Sequence, residues 1–468
     1  MVSTLPLLAV ALSHVAQAWP TNYDAPQTPI SAQGHTQGYE FDPLLHLPGI
    51  SPYGTLYIVS LIQALTHHSR YFDAVGFGLN HDPPPNCKVT AASYLVRHAS
   101  IYANDDEYEE YIKPLLFKIE MHRGGFTGSL DFLNTWTSPI LEDRLEDITP
   151  AGKNDARKVG EHLVERYPHL VSTTKRILAD KKPRTYDTAV ALAGAFPDAE
   201  DIEIVRVLRD VNGSMDAIVP HKSCPAFSKE PGKKEMAEFI SNYAPSVAER
   251  LEDESAFKFA DKDIVGLQSL CGYQSAIEGK RSPICKVFTD AEWMAYEYAW
   301  DLRYSYMVGP LNPLSPYLGF PWLQAQIPLL DAHEDSPVRQ GWPKGQRFFL
   351  SFTHREVPPF VAAALGIFNS SSSAGEEFPT DRINWARAWR MSDLIPFLGH
   401  VGMEKITCQS KRGSEDFVRF VANQAPRPLP DCQDGPGASC PFGQFRDIIE
   451  DGAKSHKDYH KVCGDSPK

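Results

Sequence analysis

Apolar residues recur along the chain in two rhythms. Helical spacing runs through TLYIVSLIQALTHHSRYF (55–72), ITPAGKNDARKVGEHLVERYP (148–168), KKEMAEFISNYAPSVAERL (233–251) and DAEWMAYEYAWDLRYSYMV (290–308). Short, nearly continuous apolar runs mark strands at YLVRHA (94–99), RILAD (176–180) and DIEIVRVL (201–208). QRFFLSFTHREVPPFVAAALGIF (346–368) joins the two, a buried strand running into a helix. DFVRFVANQAP (416–426) reads as a late strand and GQFRDIIEDGAKSH (443–456) as a C-terminal helix. The boundaries have local causes. Thr149 is an N-cap with Pro150 at the first helical position; Val159, Leu163 and Val164 form the stripe, and Pro168 ends it. KKPR (181–184) is a turn opening the alanine-rich helix TYDTAVALAGAF (185–196).

Alternating strand and helix predict an α/β fold with a parallel sheet. The rhythm changes over 212–344, where long helical patterns stand with few strand candidates, so a mostly helical insert is expected there. The α/β domain is then 54–211 together with 345–468, and residues 19–53, rich in Pro, Gly and polar side chains, read as an extended arm.

The compartment follows from both ends of the composition. MVSTLPLLAVALSHVAQA has a short apolar core closing on Ala16-Gln17-Ala18, the small-x-small pattern of a secretory cleavage site, so residues 1–18 are expected to be a signal peptide. No later apolar run reaches membrane-spanning length, so no membrane partner is expected. The eight cysteines are even in number and contain no CxxC pair, which suits disulfides rather than a zinc or redox motif. Cys271/Cys285 and Cys432/Cys440 are near enough in sequence to be local staples; spacing leaves the other pairings open. Asn212-Gly213-Ser214 and Asn369-Ser370-Ser371 are glycosylation sequons. A net charge of -13 argues against a sequence-independent nucleic-acid binder, which needs a basic face. Nothing in the composition sets an oligomeric state.

The chemistry gathers at strand ends. Val96-Arg97-His98 and Phe352-Thr353-His354 each deliver a histidine to the carboxyl end of a strand, where open α/β sheets build their sites. Arg184 opens a helix, whose N-terminal N–H groups favour anions. Two arginines and two histidines from separate strand ends can surround one phosphate. The acidic run Asp105, Asp106, Glu107, Glu109, Glu110 reads as a solvated helix face, and Trp293, Tyr296, Tyr298 and Trp300 as core packing. No metal-ligand spacing is present; His67 and His68 are adjacent on a helix and cannot easily face one ion.

This constellation resembles the histidine acid phosphatases, the phytase-like branch of the phosphoglycerate-mutase-like superfamily. ITPAGKNDARKVGEHLVERYP is similar to the family's LTPxGxxxxxxLGxxLxxRY helix, and ADKKPRTYDTAVALAGAF to its Arg-x-x-x-[Ser/Thr]-Ala segment. FTDAEWMAYEYAWDLRYSYMVGPLNPL, WRMSDLIPFLGHVGMEKITC and FVRFVANQAPRPLPDC resemble its cap helix and last strands. The resemblance implies a phosphoglycerate-mutase-like α/β domain with a mostly helical cap at 212–344 and some cap elements in 105–147. It also implies the bridges Cys87–Cys408, Cys224–Cys463, Cys271–Cys285 and Cys432–Cys440. The expected activity is that of a secreted acid phosphatase on a small phosphorylated substrate, with no cofactor and no metal. His98 would be the nucleophile, passing through a phosphohistidine, and Arg97, Arg184 and His354 would bind the phosphate.

Two departures bear on that expectation. The family signature Arg-His-Gly-x-Arg-x-Pro is here Arg97-His98-Ala99-Ser100-Ile101-Tyr102-Ala103, so the second arginine is lost. Arg123, Arg355 and Arg390 are the candidates to replace it. The usual His-Asp pair is here His354-Arg355-Glu356, the His-x-Glu spacing of the multiple-inositol-polyphosphate type, which makes Glu356 the candidate general acid. A phytase, or an impaired pseudo-phosphatase of the same fold, are the alternatives.

Overall fold

The strand that leads to His98 is buried along most of its length. In Cys87–Arg97 (β1) all residues from Ala91 onward are buried, as befits a central strand covered on both faces. The computed structural model describes residues 41–50, 79–207, 217–331, 341–369, 374–411 and 413–464. Contacts divide the chain into Met1–Phe41 and Asp42–Lys468, and the fold described is that of the second unit.

The other strands are Arg176–Asp180 (β2), Glu203–Val207 (β3), Phe348–Thr353 (β4), His400–Ser410 (β5), Gly413–Ala422 (β6), Ala425–Arg427 (β7) and Cys440–Pro441 (β8). They form one sheet in the order β3-β2-β4-β1-β5-β6-β7, with β8 against β6. β3, β2, β4 and β1 are parallel, as the strand–helix alternation predicts. The sheet as a whole is mixed, because β5, β6 and β7 return antiparallel beside β1. Here the expectation of one late strand over 416–426 is corrected. Asn423 and Gln424 take φ of 47° and 67°, and the chain folds back as a tight hairpin with Ala422 opposite Ala425. The turn carries no glycine, and the polar pair Asn423-Gln424 is its only local signal.

Helices cover the parallel half. Pro150–Arg166 (α1) and Pro183–Ala193 (α2) pack on it around Ala156, Val159, Leu163, Ala189 and Leu192. Between β3 and β4 stand Lys233–Ser255 (α3), Asp261–Glu278 (α4), Asp290–Met307 (α5) and Ser315–Leu330 (α6). Trp293, Tyr296, Tyr298 and Trp300 are buried on α5, as expected of packing residues. Val357–Ala364 (α7) follows β4, and Phe442–Ser455 (α8) lies near the C-terminus. All four bridges implied by the resemblance are present. Cys87–Cys408 joins facing residues of β1 and β5.

The signal peptide, the predicted helix 55–72 and the sequon at Asn212 lie outside the described residues. Within the expected arm, Pro43–His46 forms one 3-10 turn, and Leu44, Leu47 and Ile50 are buried. Asn369 is exposed.

Candidate active site

β1 and β4 are parallel neighbours in which Arg97 faces Thr353, so His98 and His354 leave the sheet side by side. Their rings are 5.7 Å apart in an edge-to-face arrangement, and His98 N donates to Thr353 O at 3.0 Å. α2 starts three residues beyond β2, with Lys182 as N-cap and Pro183 next, which puts Arg184 in its first turn. Glu356 is the N-cap residue of α7 and is buried. Each placement comes from a strand ending where a helix begins.

The loop after His98 is tied down from two helices. Thr149 caps α1 as predicted, accepting from Gly152 N at 2.9 Å, and its own N donates to Ser100 O at 2.8 Å. A Cβ at Gly152 would lie 2.5 Å from Ser100 O, so only glycine permits this approach. From α2, Thr188 Oγ1 accepts from Ala99 N at 3.0 Å and donates to Arg184 O at 2.6 Å. The Ser/Thr of the Arg-x-x-x-[Ser/Thr]-Ala segment thus couples the arginine to the loop that follows His98.

A cleft of about 210 Å³ brings together Arg97, His98, Arg184, His354, Arg355 and Glu356, with Ile101 on its wall. Five of these six are the residues expected to bind phosphate or act on it. Of the three candidate replacements for the lost arginine, only Arg355 is in the cleft. Arg123 is exposed and pairs with Glu120, while Arg390 donates to Trp385 O at 3.3 Å; both are corrected as cleft residues because the chain carries them to other surfaces.

His98 has a defined tautomer. Its Nδ1 is 2.9 Å from Ala99 O, an acceptor only, so Nδ1 carries the proton and Nε2 keeps its lone pair. Burial, followed by the charges of Arg184, Arg97 and His354, holds its pKa well below the ordinary histidine value. Both features favour the neutral imidazole. Arg97 gives Nη1 to Ile395 O at 2.6 Å and stacks on Phe397 at 4.3 Å, and burial followed by Arg355 lowers its pKa to about 10. The buried Nε–H groups of Arg97 and Arg184 have no acceptor among the described residues. Such donors, left unpaired in a cationic cleft, fit an anion.

Carboxylates that sequence reading passed over complete the site. His354 Nε2 is 2.9 Å from Asp180 Oδ2. Asp180 is the last residue of β2, and the same strand-end rule that picked out the histidines could have found it. Arg184 Nη1 is 2.5 Å from Glu146 Oε2. Glu107, expected on a solvated face, is buried and holds Arg355, with Tyr273 OH 2.5 Å from its other oxygen. It directly precedes a π-turn, Tyr108–Ile112, which rotates the helix register within the acidic run. The neighbouring Glu109 remains exposed and pairs with Lys113, as a solvated face does. Glu356 is buried, which alone would raise its pKa, yet His221, Arg355, His354 and Lys222 outweigh this and hold it below the usual carboxylate range. Among the described residues no group of three or more His, Cys, Asp or Glu is arranged to hold a metal ion.

The family model of the histidine phosphatase superfamily (branch 2) matches residues 88–423, from β1 through the Asn423 turn. The chain belongs to that superfamily. A probable acid phosphatase of Saccharomyces cerevisiae is 26% identical over 84% of this chain and 84% of its own length. A phytase of Candida albicans is 25% identical over 86% of this chain and 87% of its own. Among solved structures, the phytase from D. castellii matches with a TM-score of 0.78 at 22% identity, covering 95% of this chain and 93% of that one. The histidine phosphatase fold thus extends over the whole described unit.

Proposed function

We propose that this histidine phosphatase is a secreted acid phosphatase that hydrolyses phosphomonoesters through a phosphohistidine on His98. The observation that carries the reading is the Nδ1–Ala99 O bond, which leaves Nε2 as a free lone pair in a cleft of guanidinium groups. Nε2 attacks phosphorus in line; the bond to the ester oxygen breaks, and that oxygen takes a proton from Glu356. Water then attacks phosphorus, giving its proton to the Glu356 carboxylate, and the P–N bond breaks to release inorganic phosphate. Arg97, Arg184 and Arg355 donate to the equatorial oxygens, where preorganised donors act most strongly. Arg355 takes over from the arginine that Ile101 displaces.

His354 donates Nε2–H to Asp180, so it offers a second N–H to phosphate only as imidazolium. An arriving anion favours that state, and it equally favours a protonated Glu356 by offsetting the cations around it. Both effects suit catalysis in acid. The predicted leader and four disulfides support secretion, and no described helix is long and apolar enough to cross a membrane. Asp105 and Glu146 on the cleft wall favour a monoester over a highly phosphorylated phytate-type substrate. Hydrolysis of p-nitrophenyl phosphate at acidic pH, abolished by His98→Ala and indifferent to chelators, is the expected result. A correctly folded protein with no turnover across a wide substrate panel would instead be a pseudo-phosphatase.

A further inference from the structure

Glu146 is a carboxylate built into a cleft whose other features suit an anion. It stands at φ 69°, a left-handed conformation rarely taken by residues with a Cβ, and its N donates to Ala103 O at 2.9 Å. Both side-chain oxygens are held. Oε2 lies 2.5 Å from Arg184 Nη1, and Oε1 accepts from Asn104 Nδ2 at 2.7 Å. The pair is largely shielded, the Arg184 and Glu146 side chains being 16% and 22% exposed. Arg184 therefore meets an arriving phosphate with one end of its guanidinium already neutralised, while its Nε–H is unpaired.

From this geometry we infer that Glu146 is a specificity-determining residue that weakens the cleft's grip on phosphate. Resting on the reading of the cleft as a phosphomonoesterase site, the inference assigns Glu146 two effects. It penalises substrates bearing further phosphates, because like charges are brought close in a shielded cleft. It also loosens inorganic phosphate, the product, after the P–N bond has broken. A carboxylate that merely oriented Arg184 would do the reverse, since its removal would cost phosphate affinity.

The opposite signs make the test decisive. Inorganic phosphate binding is measured by titration calorimetry on the full-length protein and on Glu146→Gln and Glu146→Asn. Gln keeps the size of the side chain, and Asn suits the left-handed backbone. Both variants are expected to bind phosphate about three- to tenfold more tightly, the scale of one partly screened ion pair. In Glu146→Gln, KM for a bisphosphorylated ester should fall more than KM for p-nitrophenyl phosphate. Unchanged or weaker phosphate binding in both variants, with melting temperatures intact, would overturn the inference. Because calorimetry needs no turnover, tighter binding by the variants of a protein without hydrolysis would sustain it while the functional reading failed.

Discussion

Asp180 Oδ2 and His354 Nε2 are 2.9 Å apart, a carboxylate at the end of β2 holding an imidazole from the end of β4. The two strands pair in register one layer below, Leu178 with Ser351 and Ala179 with Phe352, so the contact is set by the sheet itself. With the proton fixed on Nε2, the proposed donation from His354 to phosphate requires a second proton, and the carboxylate stabilises that form. Asp180→Asn, which keeps the shape but removes the charge, should lower kcat/KM about ten- to a hundredfold, the scale of a charge-assisted hydrogen bond. Its acid optimum should move to lower pH, as His354 would then be harder to protonate. A variant with an unshifted profile would reduce Asp180 to a packing role.

Arg355 and Ile101 face the same cleft, and Arg355 is proposed to do the work of the missing signature arginine. Arg355→Met should cost about a hundredfold in kcat/KM, by the scale of one lost transition-state donor. Ile101→Arg placed in that variant should recover part of the loss. If the single substitution left kcat/KM within threefold (roughly 0.7 kcal/mol), the compensation would be refuted.

Glu356 is assigned to the departing oxygen, so its loss should be felt in proportion to how poor that oxygen is as a leaving group. In Glu356→Gln, phosphorylation by alkyl esters should slow far more than phosphorylation by p-nitrophenyl phosphate. Presteady-state rates for the two esters make the comparison, and equal slowing would remove the leaving-group role.

The neutrality of His98 has a consequence for stability. Burial, followed by the cations Arg184 and Arg97, lowers its pKa in the fold, and burial lowers that of His354, with Asp180 opposing. The unfolded chain takes up these protons first, so the contribution of both histidines is complete above about pH 6.5 and is lost as pH falls toward their folded values. Urea unfolding of wild type and His98→Asn between neutral and mildly acidic pH should show the shallower dependence in the variant. Parallel curves would mean that His98 is not held neutral.

Much of the site was legible because strand ends and helix starts are local signals. Arg97-His98, Thr353-His354, the Thr149 cap and Arg184 each declare themselves within a few residues of sequence. What stayed hidden depends on pairings across the fold. Glu107 is read correctly as part of a helix, but its burial follows from Arg355, 248 positions away, and from the π-turn that re-aims it. Glu146 sits in an exposed-looking polar stretch and is drawn into the cleft by Asn104 and Arg184. The Asn423-Gln424 turn was missed because it has no glycine and only two residues, between strands whose adjoining residues are buried on both sides. Sequence alone left Arg123, Arg355 and Arg390 equal as replacements for the arginine lost at Ile101, and only the folded chain brings Arg355 into the cleft and leaves the other two out of it.

Phosphorylation of His98 is tested most simply by rapid acid quench during turnover of a radiolabelled monoester. The wild-type protein should yield a phosphoprotein that is labile in acid and stable in alkali, with the label on His98, and His98→Ala should yield none. Label retained in His98→Ala, or an active wild-type protein that never carries label on this residue, would contradict the account.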